Sequence, residues 1–466
     1  YRFSAIALLV LPLVFTSCSD YLDRDDDDNI TEADVFARYE KVNGLVSDVY
    51  AAAKKADRPL VFFEHFSNSA ITDECEGTNV EGNITNNFNN GAWNPNSLPG
   101  SVGQYWEALY EGIRKANLII ENVQKYNTPD NPQQDGDLRN RIGEMYFMRG
   151  YFHMLLLRMY GEAPYIDRVI NAGDNMDFKK ESVHSMVEKI VTDAQTAYGM
   201  VPNKYVKTSE NFGRVDKGAC LGLISFVRWV AATPLWNGAS QYGYNLRRVF
   251  ENEYAYDATR WRKAKEAAKA VLDFEVGGTK RYSLYTKHDA NDFKDPADGN
   301  LNDSRVYARL WDMFYDMDAF ANEYVFFMTK SKDQAWQGDI YPPSREGSSR
   351  QQPVQEQVDE YEYIVGDYGY PVYSAEARKG GYDDTNPYVK GTRDPRFYRD
   401  VIYHGAPYRN NKNESKTINM ASGSDKIGAT NATTTGYYLR KFQQESWNKS
   451  GNFSINAPAI WRLPEF

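Results

Sequence analysis

Apolar residues recur at helical spacing in a series of stretches through the first 275 residues, and the pattern then breaks up. Thr31 to Lys54 carries Val35, Phe36, Tyr39, Val42, Val46, Val49 and Tyr50 on one face, with Thr31 and Asp34 supplying a start signal. Gln104 to Lys125 repeats the pattern through Tyr105, Trp106, Leu109, Ile113, Asn117, Ile120 and Val123. Gly136 to Tyr160 follows and is stopped by Gly161 and Pro164. Ser182 to Tyr198 and Thr259 to Phe274 give two more amphipathic helices. Val215 to Ala232 is apolar on nearly every face, which predicts a central, buried helix. Two regions lack this period. Asp57 to Gly103 is rich in Asn, Gly, Thr and Pro and reads as a long loop, a kind that tends to be functional. From Gly277 onward, short apolar pieces such as Asn322 to Met328 lie among Gly, Asp, Asn and Pro. That composition predicts short strands and single helices packed on the helical half as one compact unit.

The helices are expected to pair antiparallel through short turns, and Trp106, Leu109 and Gly112 faintly echo a tetratricopeptide helix. The period is irregular, so divergent helix-turn-helix units that stack on one another are the expectation.

Ahead of the first helix, Ile6 to Phe15 is almost wholly apolar, with Arg2 in front and Ser17-Cys18 behind. That run is too short for a helix crossing a bilayer of roughly 30 Å, and it has the layout of a secretory signal. Phe15-Thr16-Ser17-Cys18 resembles a bacterial lipobox, in which the cysteine is acylated after cleavage. Residues 1–17 are therefore expected to be a signal peptide, and residues 18–30 a lipidated Cys18 and a solvated tether, because Asp20 to Asp28 is too acidic to fold alone. Acidic residues directly behind such a cysteine resemble the surface-export signal of Bacteroidetes lipoproteins.

Composition narrows the functional classes. A net charge of −10 without a long basic run argues against nucleic acid. Aromatics are abundant, with 35 Tyr, 23 Phe and 9 Trp, a usage that suits sugar or peptide binding through ring faces as well as ordinary helical cores. Besides Cys18, only Cys75 in a polar loop and Cys220 in an apolar helix remain, so a disulfide is not expected. The five histidines are scattered, with neither HExxH spacing nor a Gly-x-Ser-x-Gly elbow, and no catalytic residue or cofactor is expected. Asp289 to Asp303 is Asp- and Asn-rich but has Lys294 where an EF-hand needs glycine, so it reads as a solvated loop and not as a metal site.

Six strings, in order, carry a family pattern: Arg149-Gly150-Tyr151-Phe152 leading into Tyr160 to Ile166, GRVDKGACLGLISF from Gly213, NEYVFF from Asn322, PVQEQVDEYE from Pro353, NPYVKGTRDPRFY from Asn386 and TGYYLRKF from Thr435. Together, behind a lipobox, they resemble the SusD/RagB family of outer-membrane lipoproteins. The resemblance implies a mainly α fold: tetratricopeptide-like helix pairs at about 31–275, packed against an irregular, loop-rich half with a few short strands at about 276–466. These form one SusD-like domain over 31–466. It also implies that relatives continue into further helices beyond Phe466, so the sequence reads as shortened at both ends. As a role it implies capture of a glycan, or of a peptide in the RagB branch, at the cell surface and transfer to a SusC-like TonB-dependent transporter, with lipid anchoring in the outer membrane.

Within that frame, exposed aromatics beside polar residues are the ligand-binding candidates. Trp93 with Asn94 and Asn96, in the loop before the Gln104 helix, is one group; Trp336 and Tyr341, in the Gly- and Pro-rich stretch after NEYVFF, is the other. A pyranose offers an apolar face to a ring and hydroxyls to amides and carboxylates. The conspicuous Arg393 to Phe397 string is read as a structural turn with its guanidinium groups fixed on carboxylate or backbone. Tyr361, Tyr363, Tyr368, Tyr370 and Tyr373 are read as packing residues. The expected function is non-enzymatic glycan binding; a peptide receptor, a surface glycoside hydrolase and a lid without ligand affinity of its own are the alternatives.

Overall fold

The computed structural model describes residues 31–56, 68–77, 84–94, 96, 100–126, 132–205, 211–238, 250–286, 321–328, 338–389, 391–409, 415–442 and 459–466. Cys18, the acidic tether, the Asp289–Asp303 stretch and Trp336 lie outside the described residues.

Eight helices precede residue 275: α1 (Glu32–Phe36), α2 (Tyr39–Ala56), α3 (Ile84–Asn89), α4 (Gly100–Tyr126), α5 (Pro132–Tyr160), α6 (Val183–Met200), α7 (Lys217–Ala232) and α8 (Ala258–Leu272). Their starts are written locally. Thr31 and Asp34 form a reciprocal capping box, and Ser182, Asp216 and Asp257 each accept a backbone N–H in the first turn of α6, α7 and α8. The expected Thr31–Lys54 helix is broken at Ala37, which caps α1, so it becomes two helices. From α4 to α8 each helix packs on the next, and α2 lies on α4 and α5. Short connections join α1 to α2 and α4 to α5, but residues 161–182, 201–216 and 233–257 are longer excursions, so the expectation of short turns fails there. The first of these lies on the helices, with the carbonyls of Pro164, Ile166, Asp167, Arg168 and Ile170 held by Tyr110, Asn117, Arg149 and Arg114.

Gly112 shows how tightly the helices fit: a Cβ there would stand 2.5 Å from the Phe152 ring of α5, so only glycine admits that ring. Two buried polar networks tie helices and excursions together. Arg149 donates to both carboxylate oxygens of Asp193 on α6 (2.8 and 2.5 Å), to Asn117 Oδ1 on α4 (2.9 Å) and to the Asp167 carbonyl (2.8 Å). Tyr165 donates a further hydrogen bond to Asp193 (2.6 Å). Glu144, wholly buried, accepts from Tyr50 of α2, Tyr205, Arg141 and Arg214. Helix α7 is largely buried as its composition predicts, with Trp229 as the exception at 51% exposed.

The second half is irregular. Among the described residues the strands of the protein are short and paired two or three at a time: β1 (Ile71–Thr72) and β2 (Cys75–Gly77) in the early loop and, from the end of α8 onward, β3 (Glu275–Val276), β4 (Thr279–Lys280), β5 (Tyr324–Phe327), β6 (Gln351–Pro353), β7 (Tyr363–Val365), β8 (Tyr368–Tyr370), β9 (Val401–Ile402), β10 (Pro407–Arg409), β11 (Ser415–Thr417), β12 (Tyr438–Leu439) and β13 (Ala459–Arg462). Antiparallel β5 and β13 bring Phe326 and Trp461 onto the helical core, where Trp461 meets Tyr151 and Phe226. Gly222 of α7 makes this approach possible, since a Cβ there would lie 2.9 Å from Val325 and 3.0 Å from Trp461. The β1–β2–β6 sheet joins the early loop to the later half. Among the described residues this half also carries the short helices α9 (Gln355–Asp359), α10 (Ala375–Lys379) and α11 (Pro395–Asp400).

Candidate functional site

The loop between α2 and α4 is organised around β1, β2 and α3. Asn89 donates from its amide to the Ala70 carbonyl (3.2 Å), which fixes the end of α3 on the sheet. Phe88, half-buried, packs on the cluster of Ala70, Cys75 and Val102. Trp93 then lies on Phe88, ring centroids 4.6 Å apart and planes tilted by 54°. The indole is supported on a side chain that is itself anchored, yet remains 38% exposed. Beside it, Asn94 and Asn96 are both exposed, and the Asn96 N–H donates to Asn94 Oδ1 (2.9 Å) in a local turn. A supported indole next to amides open to water is a surface on which a sugar face can stack while its hydroxyls find partners.

Of the second group, Trp336 lies outside the described residues and Tyr341 is not exposed. Tyr341 is wholly buried with Ile340, Ile402 and Tyr438, and the Arg345 guanidinium lies over its ring at 5.8 Å. The expectation of an exposed ring at Tyr341 is therefore corrected: the tyrosine fills the core under the β9–β12 pair, and only its sequence surroundings looked like a loop.

The Arg393 turn is built as a brace. Arg393, 2% exposed, donates to the carbonyls of Tyr361 (2.8 Å), Val358 (2.6 Å) and Pro387 (3.4 Å), while Arg396 pairs with Asp394 (2.6 Å). Tyr388 stacks on Phe397, and Tyr437 donates to Gln355 Oε1 (2.7 Å). Three of the sequence strings thus converge in one packed knot.

The tyrosine run beside this knot divides. Tyr361 and Tyr363 are packed, Tyr363 against Tyr382, whereas Tyr368 at 69% and Tyr373 at 54% are exposed, so reading the whole run as packing was too broad. Alternation does not separate these rings: Tyr363 and Tyr370 pair across the β7–β8 hairpin and Tyr368 shares their face, and what covers Tyr363 at one end of it, Tyr382, does not reach Tyr368 at the turn, while Tyr373 follows β8.

Cys75 and Cys220 are buried free thiols. Cys75 lies on β2 and not in a polar loop, and burial pushes its thiol up to about 12. Among the described residues no cluster of His, Cys, Asp and Glu has the form of a metal site, and no helix is long and apolar enough to cross a membrane.

A stacked helical scaffold carrying an irregular, aromatic-bearing half defines a tetratricopeptide-like scaffold protein of mainly α class. Residues 20–227 match the family model of SusD-like starch-binding proteins associating with the outer membrane, and residues 311–465 match that of the SusD family. The chain belongs to the SusD/RagB family. A SusD-like protein P2 of Formosa agariphila is 24% identical over 202 residues, which cover 42% of this chain and 38% of that relative. Among solved structures, a SusD-like protein of Bacteroides fragilis superposes with a TM-score of 0.68 at 18% identity, covering 94% of this chain and 75% of the other. A SusD-like carbohydrate-binding protein of the same species gives 0.66 at 15% identity, with 92% and 73% covered. A laminarin-binding SusD-like protein gives 0.51 at 16% identity, with 91% and 78% covered.

Proposed function

We propose that the chain is a cell-surface glycan-binding lipoprotein of the outer membrane. In this reading Cys18 carries the lipid anchor, the folded body captures oligo- or polysaccharide, and a partner SusC-like TonB-dependent transporter receives it. Trp93 carries the binding part: an indole propped on Phe88, 38% exposed and flanked by two exposed asparagines, has the stacking face and polar edge that a pyranose requires. Family membership supports the same role, as do the structural neighbours named for carbohydrate and laminarin binding. The reading is non-catalytic, with no residue assigned to bond cleavage.

Native gels cast with a panel of polysaccharides test it, with reducing-end release measured in parallel. Retardation by at least one glycan without product, reduced in Trp93→Ala, is the expected result. Product formation would replace the receptor reading with a hydrolase, and retardation by no glycan would favour peptide ligands or a lid that binds only with its transporter.

A further inference from the structure

Beside the Arg393 knot lies a cavity of about 380 Å³, lined by Gln355 and Asp359 of α9, by Tyr373, Arg378 and Tyr382, and by Asp384, Pro387, Tyr388 and Arg393. Trp93 does not line it. We propose that this cavity is a second saccharide subsite, selective for neutral sugar rings, with Tyr373 as its stacking platform.

The wall is aromatic and braced. Tyr373, 54% exposed, stands edge-on to Tyr382 (6.0 Å between centroids), which in turn packs edge-on to the buried Tyr363 (5.5 Å). Its hydroxyl donates to Asp359 Oδ1 (3.2 Å), so the ring is held at both ends before any ligand arrives. Preorganisation of this kind lowers the ordering cost of binding.

Around the ring runs a chain of polar groups. Tyr388 bonds Tyr437, Tyr437 donates to Gln355 Oε1 (2.7 Å), and Gln355 Nε2 donates to Asp359 Oδ1 (2.7 Å). Both hydrogen bonds to Asp359 fall on one oxygen, and among the described residues Oδ2 accepts none. A carboxylate oxygen at the rim of a cavity, oriented by two donors on its sister atom, is an acceptor for ligand hydroxyls.

The charges select for neutrality. Arg378 pairs with Asp384 (3.0 Å) and Arg393 turns its donors to three backbone carbonyls, so with Asp359 the lining sets two carboxylates against two guanidinium groups and offers an acidic ligand no excess of positive charge. A uronate or sulfate entering here would have to compete with Asp384 for Arg378 and would face the Asp359 carboxylate. A neutral pyranose, with an apolar face for Tyr373 and hydroxyls for Asp359 and Gln355, meets the lining group for group.

This subsite rests on the glycan-binding reading of the chain, and the test separates the two. Gels containing laminarin, amylopectin, xylan or galactomannan, with polygalacturonate as the acidic comparison, are run with the intact protein and with Tyr373→Ala, Tyr373→Phe and Trp93→Ala. Tyr373 is a surface ring, and thermal melts confirm that each variant is folded. Losing the stacking face is expected to weaken retardation by a neutral glycan about five- to tenfold, from the apolar area involved. Tyr373→Phe, which keeps the stacking face but loses the hydroxyl that braces it on Asp359, should weaken retardation less than Tyr373→Ala, by about two- to threefold. If Trp93→Ala weakens binding and Tyr373→Ala leaves it unchanged, the second subsite is wrong while the receptor reading stands. If polygalacturonate alone retards the protein, the neutral subsite is overturned; if no glycan does, both readings fall together.

Discussion

Replacing Asp193 by alanine tests the scaffold where its polar core is most committed. Asp193 and Arg149 are 4% and 6% exposed, and the guanidinium meets both carboxylate oxygens while also holding Asn117 and the Asp167 carbonyl. Without the carboxylate, a buried cation keeps only two of its four hydrogen bonds and the Tyr165 hydroxyl loses its acceptor. Breaking a buried pair by removing one partner costs about 3–5 kcal/mol. With an m-value of about 3 kcal/mol per molar urea for a large chain, the unfolding midpoint should fall by roughly 1–1.5 M. An apolar double replacement, Arg149→Met with Asp193→Leu, should recover much of the loss, because it leaves no uncompensated charge. Urea titrations followed by far-UV circular dichroism measure both. A midpoint for Asp193→Ala within about 0.3 M of the parent, corresponding to roughly 1 kcal/mol on the same m-value, would refute the reasoning.

Three further outcomes are expected. Gly112→Ala places a methyl 2.5 Å from the Phe152 ring, so it should destabilise by about 1–3 kcal/mol in the same titration. His153 is wholly buried, accepts from the Ile166 N–H at Nε2 (3.0 Å) and faces the Arg149 carbonyl with Nδ1 (2.8 Å), an arrangement for the neutral ring. Burial pushes His153 down from 6.5 to about 3; its contribution is therefore whole above pH 6.5 and is lost as pH falls towards 3, and His153→Gln, though weaker at pH 7, should lose less stability between pH 7 and pH 4. Arg393→Lys should not rescue the brace that Arg393→Ala removes, since an ammonium cannot span three carbonyls on two segments as the guanidinium fork does; both should melt at lower temperature in calorimetry.

The helices were legible because their faces are covered by one another. Apolar periodicity placed α4 to α8 within a few residues, and Thr31 with Asp34 marked the start of α1. The long excursion after α5 was not legible, since its backbone is held by distant side chains such as Arg149 and Asn117 and not by local pattern. The same limit governs the binding surfaces. Trp93 was legible as an exposed ring because its neighbours are all polar; Tyr341 was not, because the residues that bury it, Ile402 and Tyr438, are far away in the chain. Tyr373 was passed over because a dense tyrosine run looks like packing, and only the fold of the β7–β8 hairpin and α10 leaves it open. The family strings lead mainly into structure: those from Pro353, Asn386 and Thr435 meet in the Arg393 knot.

Titration calorimetry of the purified protein against the glycan that retards it in gels, beside Trp93→Ala, tests the central claim most directly. Saturable binding by the parent with affinity at least about tenfold weaker in the variant, roughly the apolar contact of one indole face, is the predicted result. Equal affinity of parent and variant would contradict the placement of the glycan on the Trp93 face, and absence of saturable binding to any glycan by the parent would contradict the receptor role itself.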